Sequence, residues 1–558
     1  MRGVVTGSFM RGADGAFMLG AVLRVAELRS LVRRTGASAD APAAASMGLA
    51  DLLDLLEDRA LSSQAPAGSL APGTSLLGSI EHAWEELAGP CVRLSTAGLA
   101  VAERVQLLFF LTPGQGLAQF LLRDLGTLRY PSYRVWRTGP VFTCTAQLHQ
   151  YEAALALEIE LQGHLEANEL AAAWATVEPL LQALECGLPV ADPTEDAPKP
   201  EAEAPPPVPF LGRFRAEWVH ARLVTHGVSL LEKRREYRRA VAVLRRLLAA
   251  PWCPDKRGNW WSRLSLDLEH LGSKEAALRA AETGLDDPAV RWGDRVGLQR
   301  RVVRLAKPPR RWRKPSFAGA VSQQPKQTTI QGRPMNCEVG RKSRFMGHDD
   351  ETCTVEELAL QHYAQEGGWE GIHSEGSIFS TLFTLLMWDV LFQDVPDVFL
   401  TPFQTGPMDV GTDMFRAARQ EAVELRLSQL REPGMAVELL TRCWETNFGV
   451  MCRGMKWEVV PLPELCKIAT CIGATGLATI CSILVDGHGG GGSGMPDLLL
   501  WREEPAPMVK LVEVKGPNDT LAEHQRAWIT SLEMAGLDVE VCKVEIPSSQ
   551  VKKRRKKS

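Results

Sequence analysis

Asp497, Glu513 and Lys515 are three charges set at the polar positions of two otherwise apolar runs, "PDLLLW" and "KLVEVK". Both runs read as strands, and alternate residues of a strand share a face. Glu513 and Lys515 therefore project together, while Val512 and Val514 pack the other way. The intervening "REEPAPM" is short enough to pair the two strands side by side, so two carboxylates and one ammonium can converge. Such a cluster suits a hard divalent cation, Mg²⁺ or Mn²⁺, whose shell is completed by waters and substrate phosphate. A metal there lowers the pKa of bound water and stabilises charge on phosphoryl oxygens, and the lysine can steer or deprotonate the attacking water. The chemistry is phosphodiester hydrolysis. Counted as charges alone, the same three residues also fit a surface ion pair on a half-exposed sheet.

The elements that must position these residues read, from about residue 435, as helices, a Gly-rich loop ("GHGGGGSG"), strand, loop, strand, amphipathic helix and strand, an α/β order. Just upstream, the run from Ile378 to Phe392 is apolar almost all round, which implies a helix buried inside a larger domain. The uncharged stretch 468–485 barely reaches spanning length and is diluted by Thr, Ser and Gly, so a pair of buried helices is expected there and no membrane association. Towards the N-terminus, Leu28, Leu31, Val32 and Leu52, Leu53, Leu56 mark a small helix pair. Residues 78–186 are expected to be mostly helical, broken by "LRYPSYRVWRTGPVF". The Pro- and acid-rich stretch 190–209 cannot bury apolar surface and reads as a flexible insert. Beyond it, Tyr237, Ala240, Val241, Leu244 and Ala276, Ala277, Ala280, Gly284 recur at i, i+3, i+4, as in paired helices of a TPR-like solenoid. Residues 316–352 are polar and irregular.

At 558 residues the chain exceeds one core and implies several domains. Its 45% apolar and 23% charged content excludes wholesale disorder and fibrous repeats. A net charge of −4 argues against a uniformly basic nucleic-acid binder, yet binding is decided by local patches. One such patch, residues 295–314, holds Arg295, Arg300, Arg301, Arg304, Lys307, Arg310, Arg311, Arg313 and Lys314 and no acid; "KKRRKK" near the C-terminus is another. Either can also be a solvated face or a loose tail. Twelve cysteines without a CxxC pair read as reduced intracellular thiols. The N-terminus lacks a signal-peptide pattern, so secretion is not expected, while its sparse acids leave an organelle transit peptide open. The basic tail points to the nucleus.

The order Pro-Asp, then Glu-x-Lys on the next strand, then a helix bearing Gln525 matches the PD-(D/E)XK nuclease core. "GMPDLLLW", "KLVEVKGPNDTL" and "HQRAWITSLEMAGLDVEVCKV" resemble the VRR-type nuclease domain. "GIHSEGSIFSTLFTLLMWDVLF" with "VPDVF" resembles the segment preceding that domain in the Fanconi-associated nuclease family. "CPDKRGNWWSRLSLDL" and "GLDDPAVRWGDRVGLQRRVVRL" resemble that family's TPR-like domain, and "LRYPSY" with the N-terminal helix pair resembles its SAP-type DNA-binding region. The resemblance, from which only the insert 190–209 stands apart, implies a SAP-like helix pair at 20–62, a helical DNA-binding region at 78–189, a TPR-like domain at 210–315, and a connecting region at 316–434. A restriction-endonuclease-like nuclease domain at 435–546 and a basic tail at 547–558 follow.

By this resemblance Glu375 of "HSEG" is a further metal ligand beside Asp497 and Glu513, Val514 lends its backbone carbonyl, and Asp519 and Gln525 support the site. Taken by themselves, Glu375 also suits a helix N-terminus, Asp519 also suits a turn or helix cap, and Gln525 an exposed helix position. The implied function is a Mg²⁺- or Mn²⁺-dependent DNA nuclease, a 5′-flap endonuclease with 5′-to-3′ exonuclease activity in crosslink repair. Its partners are branched, flapped or nicked DNA gripped by the basic segment and His524, with protein partners docking on the TPR-like region. A catalytically weak DNA-binding scaffold and a four-way-junction nuclease are the alternatives. The chain departs from the family where a small basic pocket recognises a 5′ phosphate: Asn259 stands for Arg, Asp294 for His, the glycine run before Met495 for Arg, and His524 for Lys. Only His524 can carry positive charge, so 5′-phosphate anchoring is in question. No Cys or His cluster precedes the SAP-like region to match the family's ubiquitin-binding zinc finger, and recruitment through ubiquitinated partners is not expected.

Overall fold

The computed structural model describes residues 95–111, 117–185, 209–335, 344–374, 376–486, 494–517 and 519–547. The SAP-like helix pair, Glu375, the glycine run, and nearly all of the Pro-rich insert and the basic tail lie outside these residues. The chain divides into two units, 1–129 and 130–558. In the first, helices α1 (Thr96–Phe110) and α2 (Leu117–Asp124) are described; Ser95 caps α1 by accepting a hydrogen bond from the Gly98 amide at 3.1 Å.

The second unit begins with a helical array: α3 (Thr145–Glu166), α4 (Leu170–Glu185), α5 (Ala216–Lys233), α6 (Tyr237–Ala249), α7 (Arg257–His270), α8 (Lys274–Asp286) and α9 (Trp292–Leu305). Consecutive helices pack on one another, from α3 against α4 to α8 against α9. The small-and-large periodicity does what the sequence implies: Ala240, Val241, Leu244, Ala277, Ala280 and Gly284 are buried between helices. Tyr237 and Ala276, at the margins of the same pattern, are half-buried.

After the array the chain builds one five-stranded sheet from β1 (Lys326–Gln331), β2 (Glu370–His373), β3 (Leu498–Arg502), β4 (Met508–Lys515) and β5 (Asp538–Glu545), in the order β1-β5-β4-β3-β2. The β1/β5 and β5/β4 pairs are parallel; β4/β3 and β3/β2 are antiparallel. The strand, strand, helix, strand order expected at the C-terminus is therefore present. Two strands, however, come from the region expected to be a connector. Residues 316–352 are not irregular throughout, because β1 lies within them and extends the sheet from Lys326. Its sequence, "KQTTIQ", buries only Ile330, so this edge strand carries no alternating apolar signal.

Each sheet face is covered. On one, α10 (Val355–Gly367) packs Leu358, Ala359 and Tyr363 against Leu498, Leu500, Val512, Val514, Cys542 and Val544. On the other, Leu499, Trp501, Val509, Leu511, Val539 and Val541 meet a larger core built by α11 (Ser377–Leu386), α12 (Gln420–Leu430), α13 (Met435–Asn447), α14 (Leu462–Val485) and α15 (Glu523–Met534). Helix α11 is buried on most sides, as its uniform apolarity requires. By length and composition α14 is apolar enough to cross a membrane. It breaks at Gly473 (φ 78°, ψ 162°) into two helices, and Leu465, Ile468, Ile472, Leu477 and Ile480 are buried in this core. That is the helix pair expected.

"LRYPSY", expected in a DNA-binding region, is used structurally at its aromatic end. Tyr133 stacks on Phe399 with ring centroids 4.0 Å apart and donates its hydroxyl to the Thr401 carbonyl at 2.9 Å. Nearby, the fully buried Arg419–Asp409 ion pair (2.5 Å) fixes the loop that ends at Gly411 and Thr412.

Candidate active site and the basic cleft beside it

The β3/β4 register pairs Leu498 with Val512 and Leu499 with Leu511. Carried one residue back along β3, that register sets Asp497 opposite Glu513, and opposite residues of an antiparallel pair share a face. Glu513 continues the inward row Val509–Leu511 and is 0% exposed. The surface-ion-pair alternative is thereby removed: this carboxylate occupies a core position at the end of the sheet.

Its surroundings are specific. Lys515 Nζ lies 2.7 Å from Glu513 Oε1, and Gln525 Nε2 on α15 donates to the same oxygen at 2.5 Å. Gln525 is oriented in turn by the Ala522 amide, which donates to its Oε1 at 3.0 Å. The second oxygen, Glu513 Oε2, is buried and receives no hydrogen bond. Asp497 Oδ2 accepts from the Val514 amide at 2.8 Å, and the Asp497 carbonyl accepts from the Ser374 amide at 2.9 Å.

Burial, then the neighbouring Asp497 charge, pushes the Glu513 carboxyl up to about 7 despite Lys515. Burial likewise raises Asp497, with the Val514 amide and Lys515 opposing. A buried carboxylate facing a half-buried one, the first with an oxygen that receives no hydrogen bond, leaves a net need for positive charge that one lysine does not meet. All the free donors are carboxylate oxygens, so the site fits a hard divalent cation. Among the described residues no group of three His, Cys, Asp or Glu side chains converges. The expected third ligand, Glu375, lies outside them, although its neighbour Ser374 is the residue bonded to Asp497.

Other predicted residues divide. Gln525 is brought to Glu513 from α15. Val514 adjoins Asp497 through its amide, while its side chain is buried on the α10 face. Asp519 is exposed, and its Oδ2 accepts from the Gly516 amide at 3.0 Å, the contact of a turn-forming residue.

Helix α15 joins this site to a second feature. Gln525 faces Glu513, and around the same helix Glu523, His524, Ala527 and Trp528 line a cleft of about 1150 Å³ against the helical array. Its other walls include Arg213, Arg222, Lys256, Arg263, Arg291, Arg300, Arg301 and Arg304, with Gly411 and Thr412 at the loop fixed by Asp409. Asn259, Asp294 and His524, singled out as departures from a phosphate pocket, all line this cleft. Asp294 packs where a Cβ on Gly258 would come within 2.3 Å of its own Cβ, and burial raises its carboxyl. His524 closes over Gly494 (φ +92°), where a Cβ would meet the imidazole at 2.5 Å.

Of the basic residues expected to bind DNA, Arg300, Arg301, Arg304 and His524 line the cleft; Arg295 is half-buried and is not among its lining residues. Most of the arginines are already engaged. Arg301 Nη2 and Arg304 Nη1 donate to Glu269 at 3.1 and 2.8 Å, Arg300 pairs with Glu523 at 3.3 Å, and Arg311 pairs with Glu282 at 2.8 Å. Arg213, Lys256 and Arg291 also line the cleft; they come from separate segments and share no local sequence pattern.

The VRR-NUC domain model matches residues 431–546, and the model of the TPR domain of Fanconi-associated nuclease 1 matches 148–306. The latter range shows that α3 and α4, expected in a separate DNA-binding region, belong to the helical array. A Fanconi-associated nuclease 1 homolog of Oryza sativa is 45% identical over 84% of this chain and 48% of its own length. The Fanconi-associated nuclease 1 of Homo sapiens is 34% identical over 82% of this chain and 47% of its own length. A homolog of Schizosaccharomyces pombe is 32% identical over 82% of this chain and 68% of its own. The chain thus spans about half the length of the rice and human relatives. A crystal structure of paFAN1 bound to 2-nucleotide 5′-flap DNA with a gap superposes with a TM-score of 0.58 at 22% identity, covering 95% of this chain and 82% of that one, a likeness of fold.

Proposed function

The chain belongs to the Fanconi-associated nuclease 1 family, and from that premise we propose that it is a metal-dependent, structure-selective DNA nuclease. The observation that carries this reading is the buried Glu513 with half-buried Asp497 opposite it and Lys515 two residues further along the same strand face. Mg²⁺ or Mn²⁺ held by Asp497, Glu513 and Glu375 would supply charge stabilisation at the scissile phosphate and an acidified water. The chain's own residues do the rest. Gln525 and the Val514 amide fix the two carboxylates, and Lys515, 13% exposed beside Glu513, orients or deprotonates the attacking water.

The substrate is branched or flapped DNA, entering along the cleft between α15 and the helical array. Cutting as a 5′-flap endonuclease with 5′-to-3′ exonuclease activity, in interstrand crosslink repair in the nucleus, is the finer form of the proposal. The relatives' names support the repair role and the flap DNA carried by paFAN1 supports a flap substrate, while the nuclear location rests on the basic tail. Asn259 and Asp294 in the cleft wall support cutting that does not depend on a 5′ phosphate.

The test is cleavage of an end-labelled 5′-flap duplex with Mg²⁺ or Mn²⁺, with and without a 5′ phosphate, by the native chain and by Asp497→Ala. Metal-dependent cutting that the variant loses is the expected result, with little difference between the two ends. A folded chain that cuts neither flaps, four-way junctions nor nicked DNA would leave a DNA-binding scaffold.

A further inference from the structure

The basic run 295–314 is continuous in sequence and divided in space. Its first part lies on α9, where Arg300, Arg301 and Arg304 line the cleft and are paired with Glu523 and Glu269. Its last part is a loop folded back onto the array. Arg310 Nε donates to the Leu305 carbonyl at 2.8 Å, at the C-terminal end of α9 where the helix dipole favours a cation. Arg311 grips Glu282 on α8 through Nε and Nη2, at 3.2 and 2.8 Å. These two arginines pin the loop, and immediately beyond them the chain presents Trp312, 80% exposed, followed by exposed Arg313 and Lys314. Among the described residues the indole has no ring or cation–π partner, and neither Arg313 nor Lys314 has an acidic one. A tryptophan this bare at the tip of an anchored loop is uncommon, since its large apolar face is normally the first to be covered.

We propose that Trp312 is a stacking platform for an unpaired nucleobase, with Arg313 and Lys314 holding the phosphates on either side. The inference rests on the reading that the cleft takes DNA. A protein partner that covers an indole supplies an apolar rim, whereas this one is flanked by free cations. The partner that offers flat π-faces and a regular row of negative charge together is a single strand, and stacking tolerates any base. The loop follows directly from the end of α9, whose Arg304 lines the cleft.

The experiment measures binding of the full chain, without divalent metal, to a duplex bearing a 5′ single-stranded flap and to the same duplex without it. Trp312→Ala is expected to weaken binding to the flapped DNA roughly five- to twentyfold and to the plain duplex less than about twofold. Trp312→Phe restores most of the loss. The slope of log affinity against log salt is unchanged in both variants, because no charge is removed, whereas Arg313→Ala with Lys314→Ala lowers it by up to about two. 2-Aminopurine placed in the flap is quenched by the native chain and not by Trp312→Ala. Equal binding of flapped DNA by native chain and Trp312→Ala overturns the inference alone and leaves the indole to a protein partner. Equal weakening on both DNAs, or no rescue by Phe, also overturns it. A native chain that binds neither DNA overturns the DNA reading and this inference with it.

Discussion

The end of the sheet and the adjoining cleft both concentrate charge, and they do it in opposite ways. At the sheet, the buried Glu513 lies against half-buried Asp497 with a single lysine, leaving Glu513 Oε2 without a donor. In the cleft, arginines line the walls but meet Glu269, Glu523, Glu232 and Glu158. The first region carries an unmet charge demand inside the fold, which is what a cation site requires. The second has largely met its own demand, so the number of its arginines overstates the positive charge available to a polyanion. Formal charge is read from sequence; free charge is a property of the packing.

The contrast breaks most sharply at Glu513. Glu513→Gln keeps the shape and the Gln525 contact and removes the anion, so metal-dependent cleavage should fall by at least about 10³-fold while DNA binding is unchanged. A variant that still cuts at near-native rate would mean the buried pair is structural. Gln525→Leu removes only the group that orients Glu513, and a loss of roughly tenfold is expected, partly recovered at higher metal concentration because the ligand remains but is no longer held. A metal titration of cleavage rate separates the two variants: the first is insensitive, the second shifts.

The sheet site was legible because a period of two leaves few choices. Once "DLLLW" and "KLVEVK" are strands, the alternation fixes that Glu513 and Lys515 share a face, and a short connection brings Asp497 opposite. Gln525 came only with the resemblance to the nuclease core, since by itself it also suited an exposed helix position. Edge strand β1 was not, since "KQTTIQ" buries one residue and looks like loop. The division of the nine cations in 295–314 into paired, anchoring and exposed sets was not readable either, because Glu269, Glu275, Glu282 and Glu523 approach from other helices. The structural use of Tyr133 was not readable for a related reason: its partners, Phe399 and Thr401, are more than 260 residues away.

A second buried acid sharpens what is special about Glu513. Asp267 on α7 is 1% exposed and neither of its oxygens has a partner, but it has no neighbouring carboxylate. Burial raises it from 3.8 to about 6, opposed by Arg263, His270 and Arg301. Between those two values the unfolded chain has lost a proton that the folded chain keeps, so stability declines as pH rises through about 4 to 6 and levels off above. Asp267→Asn should flatten that decline and raise stability at pH 7 by about 1–2 kcal/mol, read from urea unfolding at pH 4 and pH 7. Divalent metal should add stability to this variant as fully as to the native chain, because the ion's place is at the sheet. If Asp267→Asn abolished the metal's effect, burial without a second carboxylate would suffice to make a site, and the distinction between the two acids would fail.

The smallest effect tests the cleft directly. Lys256 is 47% exposed and touches Asp255 only at 3.8 Å, whereas Arg301 is 16% exposed and bonded to both Ser265 and Glu269. A cation free before binding releases counterions from the DNA it meets; one that keeps its glutamate adds little. Lys256→Ala should therefore weaken flap binding about three- to fivefold near 0.1 M salt and lower the salt slope by about one, with an unchanged melting temperature. Arg301→Ala should lower the melting temperature, since Glu269 loses a partner, and leave the slope alone. The reverse outcome, with Arg301 setting the slope and Lys256 silent, would mean that DNA pulls the arginines off their glutamates, and that the ion pairs of the cleft are a closed state opened by substrate.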